Sequence, residues 1–309
     1  MTRAALLLAL LCIGAGWGFT QPLAKIAVSE GYRGFGIIVW QFAIGVFVLG
    51  VITALRGRRL PLGRAPLALY AVVALIGTVL PNAASYQAAV YLPAGIISIC
   101  ISLVPILAFP VALLMRLDRF GWVRFTGLVL GLTGVLMIVV PGSSLPDRAM
   151  LAAVPLALIA PLCYAFEGNI VAKWGTFGMD PIQVLLGASV VGILFAVPLA
   201  FVTGQWITPP AVFRAPDWAI VVSSAIHAFA YAAYVGMVGR AGPVFAVQVA
   251  YLVTGFGVLW AMAILGEAYS GWIWASLALM FAGMFLVQPR KIRRAAAAAL
   301  VPPGPSANI

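Results

Sequence analysis

Ten apolar stretches fill this chain, separated by short turns in which arginine, proline and glycine collect. About 20 apolar residues is the length that crosses the hydrocarbon core of a bilayer as a helix. The first five predicted spans are Ala4–Val28, Gly34–Leu55, Ala65–Tyr91, Ala94–Met115 and Trp122–Val140. The second five are Met150–Ala172, Pro181–Thr203, Pro216–Met237, Pro243–Leu265 and Gly271–Val287. Lipid offers the backbone no hydrogen-bond partner, so helices are the expected elements. The short alternating strands of a membrane barrel are missing from the sequence. The connections leave no room for a soluble domain. Arg3 ahead of Ala4–Leu11 resembles the start of a signal peptide. The apolar run continues too far and ends in no Ala-x-Ala site, so it is read as a retained first helix.

Composition agrees with the pattern: 64% of residues are hydrophobic and 8% charged, and the mean hydropathy is +1.13. Such a chain is dissolved in lipid. The net charge of +11 matters less than its placement. One side of the predicted bundle receives Arg3, Arg56, Arg58, Arg59 and Arg64, then Arg116, Arg119 and Arg124. Lys173, Arg240, Arg290, Lys291, Arg293 and Arg294 fall on the same side, and only Lys25, Arg33, Arg148 and Arg214 on the other. The positive-inside rule then puts both termini in the cytoplasm, with the chain in the plasma (inner) membrane. Scattered topology signals of this kind do not suit nucleic acid. The last cluster can also meet anionic lipid. The tail Ala295–Ile309 is rich in alanine and proline and is expected to be disordered. Cys12, Cys100 and Cys163 sit singly inside spans and lack metal-ligand spacing, so they are read as packing residues, and neither metal nor cofactor is expected.

The five spans that come first are echoed by the five that follow. Leu114–Trp122 places Asp118 before a Gly-Trp pair, and Ala263–Trp272 places Glu267 before another. A glycine-rich helix follows each, with Gly134 or Gly283, and closes at Pro141 or Pro289. The starts match loosely, Trp17 to Lys25 against Tyr164 to Lys173. The predicted units are residues 4–140 and 150–287. An odd number of spans per half turns the second half over, so the halves are related by a pseudo-twofold axis in the membrane plane. The expected fold is therefore all-α, ten transmembrane helices as two inverted five-helix repeats.

These residues carry a resemblance. The Trp17-Gly18 start, the Leu-Gly-Glu267 turn with its partner Asp118, and the glycine-rich fifth and tenth helices resemble the drug/metabolite transporter superfamily. Within it, the chain is similar to the ten-helix EamA-type permeases over residues 4–289. The resemblance implies secondary transport, often export, of small metabolites such as amino acids, with no ATPase subunit. Many relatives carry a basic residue in helix two where this chain has Gln41, and Tyr164 stands where the repeat would put a second tryptophan. Both positions help to line the cavity in that family, so the substrate class stays open.

Ionisable residues inside a span are costly and usually face a cavity or a partner. Glu167 in span six and His227 in span eight stand out. Glu167 is either an interfacial carboxylate paired with Lys173 or a proton-binding group. His227 is either a neutral interhelical hydrogen bonder or a second proton carrier. Ser223, Ser224, Tyr231 and Tyr234 share the His227 face at helical spacing. Similar stripes are Trp17, Thr20 and Gln21; Trp40 and Gln41; Asn82, Ser85 and Tyr86; Ser98 and Ser102; and Gln248, Tyr251 and Thr254. Aromatic walls with neutral donors and acceptors suit a small amphipathic solute. The candidate substrate contacts are Trp17, Gln21, Trp40, Gln41, Tyr86, Ser102, His227, Tyr231, Gln248 and Tyr251, with Glu167 and His227 for proton coupling. Interhelical glue is the rival reading of the stripes, and Trp17 and Trp40 also fit packing or interfacial anchoring. The prolines inside spans are read as kinks, and Gly127, Gly131 and Gly134 as a close-packing face that serves the bundle or a dimer.

No Walker motif, G-x-S-x-G elbow or His-Glu-x-x-His is present, so no enzyme is expected. A single chain with an inverted repeat fits alternating access better than a channel, which usually needs a ring of subunits or a charged filter. The expectation is a secondary carrier, an exporter of an amino acid or similar compound. An uncoupled facilitator and a lipid scramblase are the alternatives. The partners are substrate and bilayer, as a monomer or a homodimer.

Overall fold

The computed structural model describes residues 3–139, 147–241 and 248–287. The predicted tail 295–309, the closing Pro141 and Pro289, and residues 243–247 of the ninth predicted span lie outside the described residues. The first half holds α1 Arg3–Ser29, α2 Gly34–Leu55, α3 Arg64–Tyr91, α4 Ala94–Leu114 and α5 Trp122–Val139. The second holds α6 Arg148–Trp174, α7 Pro181–Val202, α8 Ala215–Ala241, α9 Val249–Leu265 and α10 Gly271–Leu286. The protein is an all-α integral membrane protein of ten transmembrane helices in two inverted repeats.

Helix packing repeats across the halves. α1 packs on α8 and α9 as α6 packs on α3 and α4. α2 lies on α7 and α8, and α7 on α2 and α3. α4 meets α9, and α5 meets α10. Exchanging the halves maps this set onto itself, which is what a pseudo-twofold axis requires. Single contacts obey the same exchange. A Cβ at Gly45 would lie 3.1 Å from Ser189 Oγ, and one at Gly192 would lie 2.3 Å from the Phe42 ring. Counted from the helix starts at Gly34 and Pro181, Gly45 corresponds to Gly192 and Phe42 to Ser189. The two contacts are images of each other. Likewise a Cβ at Gly127 would lie 2.6 Å from Gly283 O, and one at Gly134 would lie 3.1 Å from Ser276 O. The glycine face of α5 is thus occupied within the same chain, by α10 at Gly127 and Gly134 and by Ile106 of α4 at Gly131.

Two helices depart from regular geometry. α3 contains a π turn at Leu75–Val79, with Pro81 just beyond it. α4 breaks into Ala94–Ile101 and Val104–Leu114. Pro105 lies at the restart, and its ring cannot coexist with the carbonyl four residues earlier in an unbroken helix. Pro22, Pro110, Pro155, Pro161 and Pro198 are accommodated inside helices.

The bundle has two ends. The distal end carries the connections 30–33, 92–93, 203–214 and 266–270. There Tyr32 Oη donates to Asp217 Oδ1 at 2.5 Å, and Phe35 N to Gln205 Oε1 at 2.9 Å. The bond to Asp217 favours the neutral phenol and pushes the Tyr32 pKa up. The proximal end carries 56–63, 115–121 and 175–180. There Arg56 pairs with Asp180 at 3.1 Å, and Gln183 Nε2 donates to Arg59 O at 2.6 Å. Asp180 also starts α7 with a capping box that satisfies its first amides. α2 and α7 are therefore tied to the opposite half at both ends.

Candidate functional site

A narrow cavity lies where α2, α3, α7 and α8 meet. α2 supplies Gln41, Phe42, Gly45 and Leu49, and the π turn of α3 supplies Thr78. Leu185 and Ser189 come from α7; Ser224, His227 and Ala228 come from α8. The four helices form two pairs exchanged by the pseudo-twofold, so the cavity sits between the halves. Its volume of about 20 Å³ is room for one water. The cavity itself is too small for a larger solute.

Three polar groups of side chains radiate from the cavity. On one side, His227 leads to Trp17, whose ring centroid lies 6.0 Å from it. Tyr231 and Tyr234 surround the same indole at 6.5 and 5.7 Å. Trp17 Nε1 is buried without an acceptor. Leaving a buried donor unmet costs roughly 1–3 kcal/mol, so a ligand acceptor here would be rewarded. On the second side, Gln41 Oε1 accepts from Asn82 Nδ2 at 2.9 Å and Tyr86 Oη at 3.2 Å. Tyr164 Oη donates to Asn82 Oδ1 at 2.9 Å. This chain of amides and phenols ties α2, α3 and α6 together.

Glu167 forms the third side. A Cβ at Gly77, in the π turn, would lie 2.5–2.9 Å from its carboxylate. Only a glycine lets the acid settle against that turn, one residue from Thr78 on the cavity wall. π turns are enriched at functional sites. The carboxylate also acts electrostatically on Tyr164 of α6 and Tyr231 of α8. Among the described residues no ion pair joins it to Lys173, which is exposed.

The remaining candidates lie elsewhere. Trp40 Nε1 donates to Ile207 O at 3.3 Å, and its ring meets Phe213, both toward the distal end. Ser102 is buried at the break in α4 and donates to Ile99 O, with Met280 Sδ of α10 at 3.4 Å. Tyr251 packs on Phe281 of α10 at 5.6 Å. Gln248 is exposed at the start of α9, and Gln21 is half-buried on α1. Asn82, Thr78, Tyr164 and Ser189 join the site without having been among its sequence-level candidates. Asn82 already stood in a polar stripe and Tyr164 in the repeat match. Thr78 and Ser189 gave no signal. Among the described residues, no group of three His, Cys, Asp or Glu could hold a metal.

Ten transmembrane helices in two inverted halves with a cavity between them is an arrangement found among transporters. Sequence comparison agrees: the EamA-like transporter family matches twice, over residues 4–140 and 151–288. The chain belongs to the EamA-like transporter family. The two matched segments coincide with the two structural halves. No curated protein sequence matches the chain. Fifteen solved chains resemble it. One of them, titled only "Crystal structure of protein", superposes with a TM-score of 0.61 at 16% identity. The likeness spans 92% of this chain and 96% of that one, and it speaks to the fold alone. EamA membership makes this protein a membrane transporter of small solutes.

Proposed function

We propose that the protein is a secondary carrier that exports a small zwitterionic metabolite, an amino acid or a close analogue, in exchange for protons. The observation that supports this reading is that Gln41, Thr78 and His227 line one cavity between the halves, with Asn82 bonded to Gln41, Trp17 against His227 and Glu167 against the turn that carries Thr78. A substrate ammonium would sit against the Glu167 carboxylate, among the faces of Tyr86, Tyr164 and Tyr231, which favour a cation. A substrate carboxylate would accept from Trp17 Nε1. His227 would serve as a wall and hydrogen-bond partner. Among the described residues no arginine or lysine lines the cavity to meet a multiply charged phosphate. The basic residues of the proximal connections would lie in the cytoplasm, with the distal end outside the plasma (inner) membrane.

Radiolabelled amino-acid counterflow in proteoliposomes, with and without a pH gradient, tests the reading. Saturable exchange of one class that responds to the gradient is expected. Linear, unsaturated flux would point to a channel, and transfer of labelled lipid alone to a scramblase. No exchange of any amino acid by folded protein would overturn the substrate assignment. In the same assay His227→Ala and Tyr231→Phe should each weaken apparent affinity about tenfold, the value of one buried hydrogen bond or ring contact. Normal rate and affinity in both variants would remove this cavity from the transport path.

A further inference from the structure

The two-residue connection Leu92-Pro93 joins α3 to α4 at the distal end. Each helix terminus there exposes backbone groups with no partner inside its helix. Both sets are met by side chains from other elements. Lys25 Nζ, on α1, donates to Ala89 O at 2.7 Å and Leu92 O at 3.0 Å, with Val90 O at 3.5 Å. Glu267, in the connection between α9 and α10, accepts from Ala94 N at 2.7 Å and Gly95 N at 3.1 Å. Tyr269 Oη donates to the same carboxylate. The signs are those the helix dipoles favour, a cation on the last carbonyls of α3 and an anion on the first amides of α4. Lys25 and Glu267 also attract each other across the turn.

Local sequence explains how the acid arrives. Gly266 ends α9 in the left-handed conformation at φ +65° and turns the chain toward α4. A Cβ at Gly95 would lie 2.0 Å from Tyr269 Oη, so glycine is what admits the phenol. Burial and the bond to Glu267 push the Tyr269 pKa up, which keeps its proton available for donation. An ordinary cap comes from its own helix. This one comes from the opposite half of the molecule, 173 residues away. It has to break whenever the halves part at this end.

We infer that Glu267 forms the distal gate of the carrier, a cap from the second half on the 92–93 turn that Lys25 steadies from within the first half; it holds the halves shut there and opens once per cycle. The inference rests on the transport reading above, but it concerns the gate and not the cavity. The chain itself is asymmetric at this point. In the register that pairs Asp118 with Glu267 and Gly134 with Gly283, Ile273 stands where Arg124 stands in the first half. Asp118, the counterpart of Glu267, is bonded to Arg124 within its own half. Glu267 has an isoleucine in that place and reaches across to α4.

The test is accessibility from each face. A single cysteine replaces Thr78 on the cavity wall, in a chain whose Cys12, Cys100 and Cys163 are changed to alanine. An impermeant thiosulfonate reagent is added to one face of sealed vesicles and then to the other. Loss of a charge-assisted bond shifts an open–closed balance about tenfold or more. Glu267→Ala should raise distal labelling by about that factor, and Lys25→Met, which removes only the attraction across the turn, should raise it less. Lys25→Arg keeps the donors and should label like the parent. Labelling from the proximal face should stay level or fall, because the two openings exclude each other. Unchanged distal labelling in folded Glu267→Ala overturns the gate, as does an equal rise from both faces, which would mean only loosened packing. Labelling needs no substrate, so a failed gate leaves the counterflow result standing, and a failed substrate assignment leaves the gate standing.

Discussion

Glu167→Gln is expected to abolish proton-driven accumulation while sparing exchange. A one-unit pH gradient stores about 1.4 kcal/mol per proton, enough for about a tenfold substrate ratio at one-to-one coupling. The parent should approach that ratio in proteoliposomes, and the variant should stay near unity. Glutamine keeps the shape that fits against Gly77, so packing around the π turn survives. What it removes is the carboxylate packed against that turn, the partner proposed for a substrate ammonium. A hydrogen bond to a charged group is worth roughly 1.5–3 kcal/mol, so affinity in counterflow should also fall about tenfold or more. Glu167→Asp should restore part of the coupling from a shorter reach. If Glu167→Gln still accumulates substrate like the parent, the proton is carried elsewhere and His227 is the next residue to change.

The helices were legible because a bilayer leaves little choice. Once a chain is this apolar, each run long enough to cross becomes a helix, and Gly34, Ala94, Trp122, Pro181 and Gly271 begin helices in the structure where the pattern put them. The repeat was legible for the same reason that it is symmetric: each half must fold onto the other by equivalent contacts, so the acid before Gly-Trp and the glycine helix occur twice. The irregularities were harder. Pro105 announced the break in α4, but nothing except Gly77 and Pro81 marked the π turn of α3. Polar stripes revealed that side chains face something other than lipid, without saying what. Similar stripes diverge in the structure: His227 and Gln41 meet at a cavity, while Ser102 and Tyr251 face α10. Helix rotation decides this, and a single helix does not encode it. Ser189 shows another limit, since its hydroxyl bonds to Leu185 O one turn back and looks like any helical serine. The roles of Lys25 and Glu267 were invisible because their partners are backbone atoms of distant residues, which carry no residue-specific pattern.

Gly283→Ala is expected to be among the most damaging small substitutions in the bundle. The α5–α10 pair closes each half, and here backbone meets backbone. A Cβ at Gly283 would lie 2.6 Å from Gly127 O and 2.9 Å from Gly131 N. Neither atom belongs to a flexible side chain, so the helices must separate. Forced overpacking of this kind costs typically 1–3 kcal/mol, which for a chain of this size lowers the melting temperature by roughly 2–10 °C. Gly255→Ala is the control. It lies in mid-helix on α9 with nothing within 4 Å of the added carbon, and alanine favours a helix over glycine by about 1 kcal/mol. It should melt at or above the parent temperature. Because α5 and α10 do not line the cavity, Gly283→Ala protein that remains folded should bind substrate with parental affinity. A parental melting temperature for Gly283→Ala would mean that the two helices do not approach as closely as described, and the image contact between Gly134 and Ser276 would then have to be questioned with it.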